Sequence, residues 1–282
     1  MAKSKERIDV LLVEQAFFPS REKAKAAVMA GLVYVGTERI EKAGMKIDRD
    51  AAIHVKGAPH PYVGRGGLKL AKALRAFSID LTGKVMLDIG ASTGGFTDCA
   101  LQNGAAYVYA IDVGTNQLDW SLRTNPRVCV MERTNFRYLQ ASDLTGPLPQ
   151  FAAIDVSFIS LKLILPTLKK LFADRNGEVV ALIKPQFEAG RNQIGKSGVV
   201  RDRRVHEAVL RDILTFAAEL GFKLQGLTFS PITGGEGNIE FLAFWQFGQP
   251  ALAHAEPSAE HFDQTIAATV AEAGKTFGKG EN

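Results

Sequence analysis

Asp88 and Asp112 bracket a run of small residues, Gly90-Ala91-Ser92-Thr93-Gly94-Gly95-Phe96-Thr97. Glycines at such spacing let a backbone come close to a ligand, and a helix starting there offers free N–H groups. The run reads Gly-x-x-x-Gly-Gly. It differs from the Gly-x-Gly-x-x-Gly of dinucleotide binders and lacks the Gly-Lys-Ser/Thr of a phosphate-binding loop. Asp88, just ahead of the first glycine, suits a ligand with a cationic amino-acid part and no phosphate at that point. S-adenosylmethionine is such a ligand. About 24 residues on, Asp112 closes the run Ala110-Ile111-Asp112, the distance and residue type needed to hydrogen-bond ribose hydroxyls. Glu132 and Asn135, a further segment along, could meet an adenine edge, with Phe136 packing on the ring.

A second set carries charge. Lys69, Asp155, Lys184 and Glu240 lie far apart in the chain, in Lys69-Leu70, Ile154-Asp155-Val156-Ser157-Phe158, Ile183-Lys184-Pro185-Gln186-Phe187-Glu188 and Asn238-Ile239-Glu240. Two lysines and two acids beside a cofactor could orient a hydroxyl and remove its proton. Lys184 is the group expected at that hydroxyl. To act as a base it must be neutral, which a neighbouring Lys69 and burial would favour. If Asp155 and Glu240 dominate, Lys184 stays charged and orients the oxygen. Both readings stand on the sequence alone.

These residues need a sheet to bring them together. Val85–Ile89 is a short apolar run before the glycines, and strands are expected also at 107–112, 127–131, 151–155, 179–184, 223–229 and 239–247. Helices are expected at 68–77, 97–103, 116–122, 160–172 and 204–220. Alternation of this kind argues a doubly wound α/β sheet, whose ligands collect at the carboxyl ends of the strands. The Gly-rich turn from Thr233 to Asn238 makes the last two strands a hairpin, as in the class I, Rossmann-like methyltransferase sheet. A helix-like segment from Ser258 to Ala273 follows, within a tail over 251–282.

Ahead of this domain, placed at 61–250, stands a smaller α+β module over residues 1–60. Residues 1–5 are polar and expected to fray. One helix is expected from Arg7 to Phe17 and another from Arg21 to Ala30, with Ser20 as its cap and Gly31 at its end. Leu32–Val35 and 52–55 read as strands. Gly57-Ala58-Pro59-His60-Pro61 marks the linker. Arg21, Lys23 and Lys25 form a basic helix face, and Arg65 sits in Gly64-Arg65-Gly66-Gly67. Lys196, Arg201, Arg203 and Arg204 form another basic stretch, near the expected substrate edge, that could hold RNA backbone.

The run Ser20-Arg21-Glu22-Lys23-Ala24, with Ala30-Gly31-Leu32-Val33-Tyr34-Val35, resembles the S4 RNA-binding domain. That resemblance implies docking on structured RNA through phosphate contacts from Arg21, Lys23 and Lys25. Lys69, Asp155, Lys184 and Glu240 match the Lys-Asp-Lys-Glu set of FtsJ-type RNA ribose 2′-O-methyltransferases. With the module ahead of it, the chain resembles the TlyA family, often labelled hemolysin A, over nearly its whole length. The family implies S-adenosylmethionine as cofactor, ribosomal RNA or ribosomal subunits as partner, and methylation of cytidine riboses. It implies Asp88, Gly90, Ser92, Thr93, Gly94, Gly95, Phe96, Asp112, Asn135 and Asp155 as cofactor contacts.

Bulk properties fit this picture. The chain has 282 residues, 46% of them hydrophobic and 23% charged, and a net charge of +4. That is mildly basic, which permits nucleic acid without demanding it. Cys99 and Cys129 read as small buried hydrophobes of a cytosolic protein. No metal is expected. A base methyltransferase is a rival reading, but Asp155-Val156-Ser157-Phe158 lacks the two prolines of the exocyclic-amine enzymes, and neither cysteine is placed for carbon-5 chemistry. A pore-forming hemolysin is the other rival. No run of ~20 apolar residues and no signal peptide supports it.

Overall fold

The computed structural model describes residues 5–277 apart from 16, 19, 37, 50, 52, 56–59, 173, 174, 196 and 249–258. The linker residues Gly57 to Pro59, Lys196 and the start of the tail thus lie outside the described residues. Two compact units divide the chain, Met1–Pro61 and Tyr62–Asn282.

In the first unit, β1 (Lys5–Arg7) leads into α1 (Ile8–Glu14) and α2 (Arg21–Met29). The Ser20 hydroxyl accepts from the Lys23 amide at 3.4 Å and caps α2, and Gly31, at φ +70°, lets the chain leave the helix. Then follow β2 (Val33–Val35), β3 (Glu38–Arg39), β4 (Lys46–Asp48) and β5 (Ile53–Val55). β2 lies between β3 and β5, and β1 pairs with β4, all antiparallel. Ile8, Leu11, Leu12, Ala24, Val28 and Val33 meet in its core. β1, β3 and β4 are too short and too polar to show an alternating pattern, so periodicity reveals only β2 and β5. The first helix stops at Glu14, three residues earlier than its apolar pattern suggests.

The second unit opens with α3 (Gly66–Ala76) and β6 (Val85–Ile89), then α4 (Gly95–Gln102), β7 (Tyr107–Ile111), α5 (Trp120–Arg123) and β8 (Val128–Met131). β9 (Phe151–Ile154), α6 (Leu165–Leu171), β10 (Gly177–Ile183), α7 (Pro185–Glu188) and α8 (Arg203–Glu219) come next. β11 (Lys223–Phe229), β12 (Phe241–Phe247) and α9 (Ala259–Phe277) end it. The sheet order is β11-β12-β10-β9-β6-β7-β8. β12 is antiparallel to both neighbours, and the pairs from β10 to β8 are parallel.

Successive strand residues go to opposite faces. Met86, Val108 and Ala153 pack under α3 and α4 with Leu70 and Phe96. Leu87, Tyr109 and Ile154 pack under α6 and α8 with Leu168 and Ile213. Strands covered on both faces read as continuous apolar runs, as Phe151-Ala152-Ala153-Ile154 does. α9 adds Ile266, Val270 and Ala273 to the second of these cores.

The helix expected over 116–122 shrinks to four residues. Asp112 holds the amides of Ser92 and Gly114 at 2.8 and 2.7 Å, and Asp119 holds that of Ser121 at 2.9 Å. Side chains that capture nearby backbone in this way compete with the helix ladder.

Candidate active site

β6 delivers Asp88 and Ile89 to the glycine turn. The amides of Gly90 and Ala91 both donate to the Ile111 carbonyl, at 2.9 and 3.1 Å, and the Asp155 amide donates to that of Ile89. The turn is thereby tied to the ends of β7 and β9. Gly90 (φ +89°) and Gly94 (φ +93°) take the left-handed backbone that glycine tolerates best. A Cβ on Gly90 would stand 2.6 Å from the Asp155 carbonyl oxygen. Gly95 has an ordinary φ but no room. Its Cβ would stand 2.8 Å from the Gly67 nitrogen and 2.9 Å from the Gly64 oxygen. The Gly64–Gly67 stretch therefore lies backbone against backbone on the cofactor turn, and fixes α3 there.

Asp88 is fully buried. One carboxylate oxygen accepts the Thr97 hydroxyl at 2.6 Å, while the other has no partner. Burial raises its pKa to about 7; the charges of Asp155 and Asp112 add to the rise and the Thr97 hydrogen bond works against it. An orphaned, buried carboxylate oxygen at a glycine turn fits a ligand that brings a positive charge. Beside it opens a cavity of about 620 Å³, within the range of small-molecule sites. Gly90, Ser92, Thr93, Gly95, Phe96, Arg65 and Asp155 line it. Asp88 and Gly94 are buried residues of the same turn that do not line the cavity wall, and Asp112 acts on the turn through the Ser92 amide. Asn135 does not line the cavity; its side chain accepts from the Arg137 amide at 3.1 Å and caps a short turn. Glu132 is paired with Arg123.

Lys69, Asp155, Lys184 and Glu240 come together in the same cavity. Lys184 Nζ stands 2.6 Å from Asp155 Oδ1, and Lys69 Nζ stands 3.3 Å from Asp155 Oδ2 and 2.8 Å from Glu240 Oε2. The Lys184–Asp155 and Lys69–Glu240 contacts are ion pairs. Lys184 also donates to the Ser157 hydroxyl at 2.9 Å. Both lysines and Glu240 are buried. Burial by itself would push the Asp155 carboxyl up, but the charges and close approach of Lys69 and Lys184 outweigh it and hold the carboxyl below its ordinary range. Two positive and two negative groups compensate one another in a chain Lys184–Asp155–Lys69–Glu240, which lets four charges share a buried site.

Elements explain the convergence. Asp155 and Lys184 each directly follow a parallel strand, at its carboxyl end. Glu240 directly precedes β12, and because β12 runs the other way its start reaches the same edge. α3 brings Lys69 from the side.

Several participants escape a reading by residue type. Asn238 is buried, and its side chain accepts from the Val200 amide at 3.0 Å and donates to the Gly198 and Gly235 carbonyls at 3.1 and 3.0 Å. It pins two wall segments of the cavity to the start of β12. Ser157 and Gln186 also line the cavity, and Gln186 lies 3.5 Å from Glu240. At the rim stands Phe158, 89% exposed and at φ +63°. Its ring packs on Phe187, centroids 4.8 Å apart. An exposed aromatic in left-handed backbone is a signal that the sequence does not carry.

In the first unit Lys23 and Lys25 are exposed on α2. Arg21 is not a free cation. It meets the fully buried Asp9 at 2.9 Å, as does Arg7, and these partners hold the Asp9 carboxyl far below its ordinary range against the opposing effect of burial.

Comparison with known proteins shows the family. Residues 62–247 match the model of the FtsJ-like methyltransferase family, and residues 6–53 match the S4 domain. A Bacillus subtilis protein provisionally named rRNA methyltransferase YqxC is 59% identical over 242 residues, 86% of either chain. The Mycobacterium tuberculosis 16S/23S rRNA (cytidine-2′-O)-methyltransferase TlyA is 42% identical over 83% of this chain and 87% of its own. A solved structure of a provisionally named hemolysin from Streptococcus thermophilus is 53% identical, with a TM-score of 0.74 over 98% of both chains.

Proposed function

The chain belongs to the TlyA family of FtsJ-like methyltransferases with an N-terminal S4 domain, and from that membership we propose that it methylates the ribose 2′-hydroxyl of a cytidine in ribosomal RNA, using S-adenosylmethionine, in the cytoplasm. The observation that carries this reading is the convergence of Lys69, Asp155, Lys184 and Glu240 in one cavity with the glycine turn.

The residues fit the cofactor. The orphaned Asp88 oxygen supports a cationic group on the ligand, the turn offers close backbone, and Asp112, directly after β7, is the carboxylate we assign to the ribose hydroxyls. Bound S-adenosylmethionine supplies a methyl carbon on a sulfonium, whose leaving group is a neutral thioether. The protein's task is then positioning and removal of one proton. Lys184 Nζ, in its ion pair with Asp155, would hold the 2′-oxygen in line as the oxygen–carbon bond forms, the hydroxyl proton leaving to water. Asp155 stays ionised and holds both lysines, and Glu240 holds Lys69. Phe158, exposed and backed by Phe187, offers an aromatic ring at the rim, suited to stacking against a base drawn out of the RNA.

The S4 unit supplies the second hold on RNA, through exposed Lys23 and Lys25 and the Asp9-buttressed Arg21, while Arg65 lines the cavity of the second unit.

Transfer of labelled methyl from S-adenosylmethionine to subunits from a strain lacking the protein, followed by ribose-methylation mapping, tests the reading. The wild type should produce a 2′-O-methyl cytidine, and Lys184→Ala should lose at least ~100-fold in rate while still binding cofactor. A methylated base would overturn the ribose assignment. No helix among the described residues is long and apolar enough to cross a membrane.

A further inference from the structure

Phe158 poses a problem of restraint. A bulky side chain at φ +63° is strained, and such strain persists only where the surroundings over-determine it. The turn that follows, at Ser160 and Leu161, is held by Glu188, at the end of α7. One Glu188 oxygen accepts from the Leu161 amide at 2.8 Å and the other from the Ser160 hydroxyl. Glu188 does not line the cavity. Its carboxylate crosses from the segment after β10 to the segment after β9. The same two segments are joined at the reacting end by Lys184 to Asp155 and Ser157, and at the rim by Phe187 to Phe158. Lys162, next along the turn, reaches Asp212 of α8 at 2.7 Å, so the turn at 161–163 is fixed to the body of the domain as well.

We propose that Glu188 is a positioning residue, whose clasp on Ser160 and Leu161 holds the Phe158–Phe187 rim open in the shape that receives the RNA nucleotide. This rests on the RNA methyl-transfer reading. It acts on the substrate side alone, because the glycine turn and Asp88 are held by β7, β9 and the Gly64–Gly67 stretch.

Glu188→Ala, Glu188→Gln and Ser160→Ala would be compared with the wild-type protein by hydrogen exchange, S-adenosylmethionine binding and steady-state methylation of ribosomal subunits. Glu188→Ala should speed exchange at the Leu161 amide and raise the KM for RNA about tenfold, the equivalent of one hydrogen bond at ~1.4 kcal/mol. kcat and cofactor affinity should stay within about twofold, a change of only ~0.4 kcal/mol. Glu188→Gln, which keeps one acceptor, should fall between. Ser160→Ala, which removes only one bond, should shift KM in the same direction, and the double variant should add less than the sum. Equal losses in cofactor binding, kcat and KM would mean that Glu188 merely supports the fold, and would overturn the proposal. So would slow exchange with unchanged KM in all variants. A wild type that methylates no RNA would be a failure of the functional reading instead, and the exchange at Leu161 would then decide the clasp by itself.

Discussion

At the scale of single residues, Asp88 couples ligand binding to protons. Its folded-state pKa of about 7 lies above the ordinary carboxylate value. The ligand-free protein thus binds a proton that the unfolded chain has already lost across the window from about pH 4 to pH 7. The stability associated with this group is full below that window and is lost as pH rises through it. An S-adenosylmethionine ammonium group would favour the charged carboxylate, so binding near pH 6.5 should release part of a proton. Calorimetry in two buffers of different ionisation enthalpy reads this directly. Asp88→Asn should remove the proton release and weaken binding. At pH 8 it should raise the Tm of the ligand-free protein by roughly 2–4 °C, as ~1 kcal/mol does in a domain of this size. A variant with unchanged proton release would show that the titrating group is elsewhere.

At the scale of elements, the glycine turn and α3 are one assembly. Gly95→Ala has no backbone obstacle in φ, so its cost is purely steric, against Gly67 and Gly64. Overpacking of this kind costs about 1–3 kcal/mol. The variant should melt earlier and, by tilting α3 and Lys69, should lose methyl transfer more than its lowered stability explains. Rates measured well below the transition, beside a Tm, separate the two effects. The elements also show where sequence is legible. The runs 107–111, 151–154 and 179–183 are apolar throughout, because both faces of the sheet are covered, and so is Val85–Ile89 apart from Asp88; the ends of the first three locate Asp112, Asp155 and Lys184. Asp155, Lys184 and Glu240 are readable because they directly follow or precede apolar strands, whereas Lys69 lies in the first turn of α3. Asn238, Ser157 and Glu188 are not, because their work is hydrogen bonding across loops distant in sequence, which leaves no period and no distinctive residue type. Likewise a helix is expected over 116–122, but Asp112 and Asp119 capture backbone amides around its start.

At the scale of the whole molecule, two units divide the labour of holding RNA and moving a methyl group. Lys23→Ala with Lys25→Ala should weaken binding to RNA and lower the salt slope of log Kd by about 2, one for each phosphate no longer neutralised, with cofactor affinity unchanged. Titration at three or four salt concentrations would check it. Arg21→Ala should behave differently, since it strips a partner from the buried Asp9 and should destabilise the small unit as well. The reversed β12 has a consequence of another kind. It does not extend the sheet at an edge but slots between β10 and β11, and Glu240 arrives with it. During synthesis the cofactor turn, Asp155 and Lys184 emerge well before this strand. Until it inserts, β10 keeps an open edge, and Lys69 lacks its nearest carboxylate. The tetrad is therefore complete only when β12 inserts, a step that comes after the cofactor turn, Asp155 and Lys184 have been made.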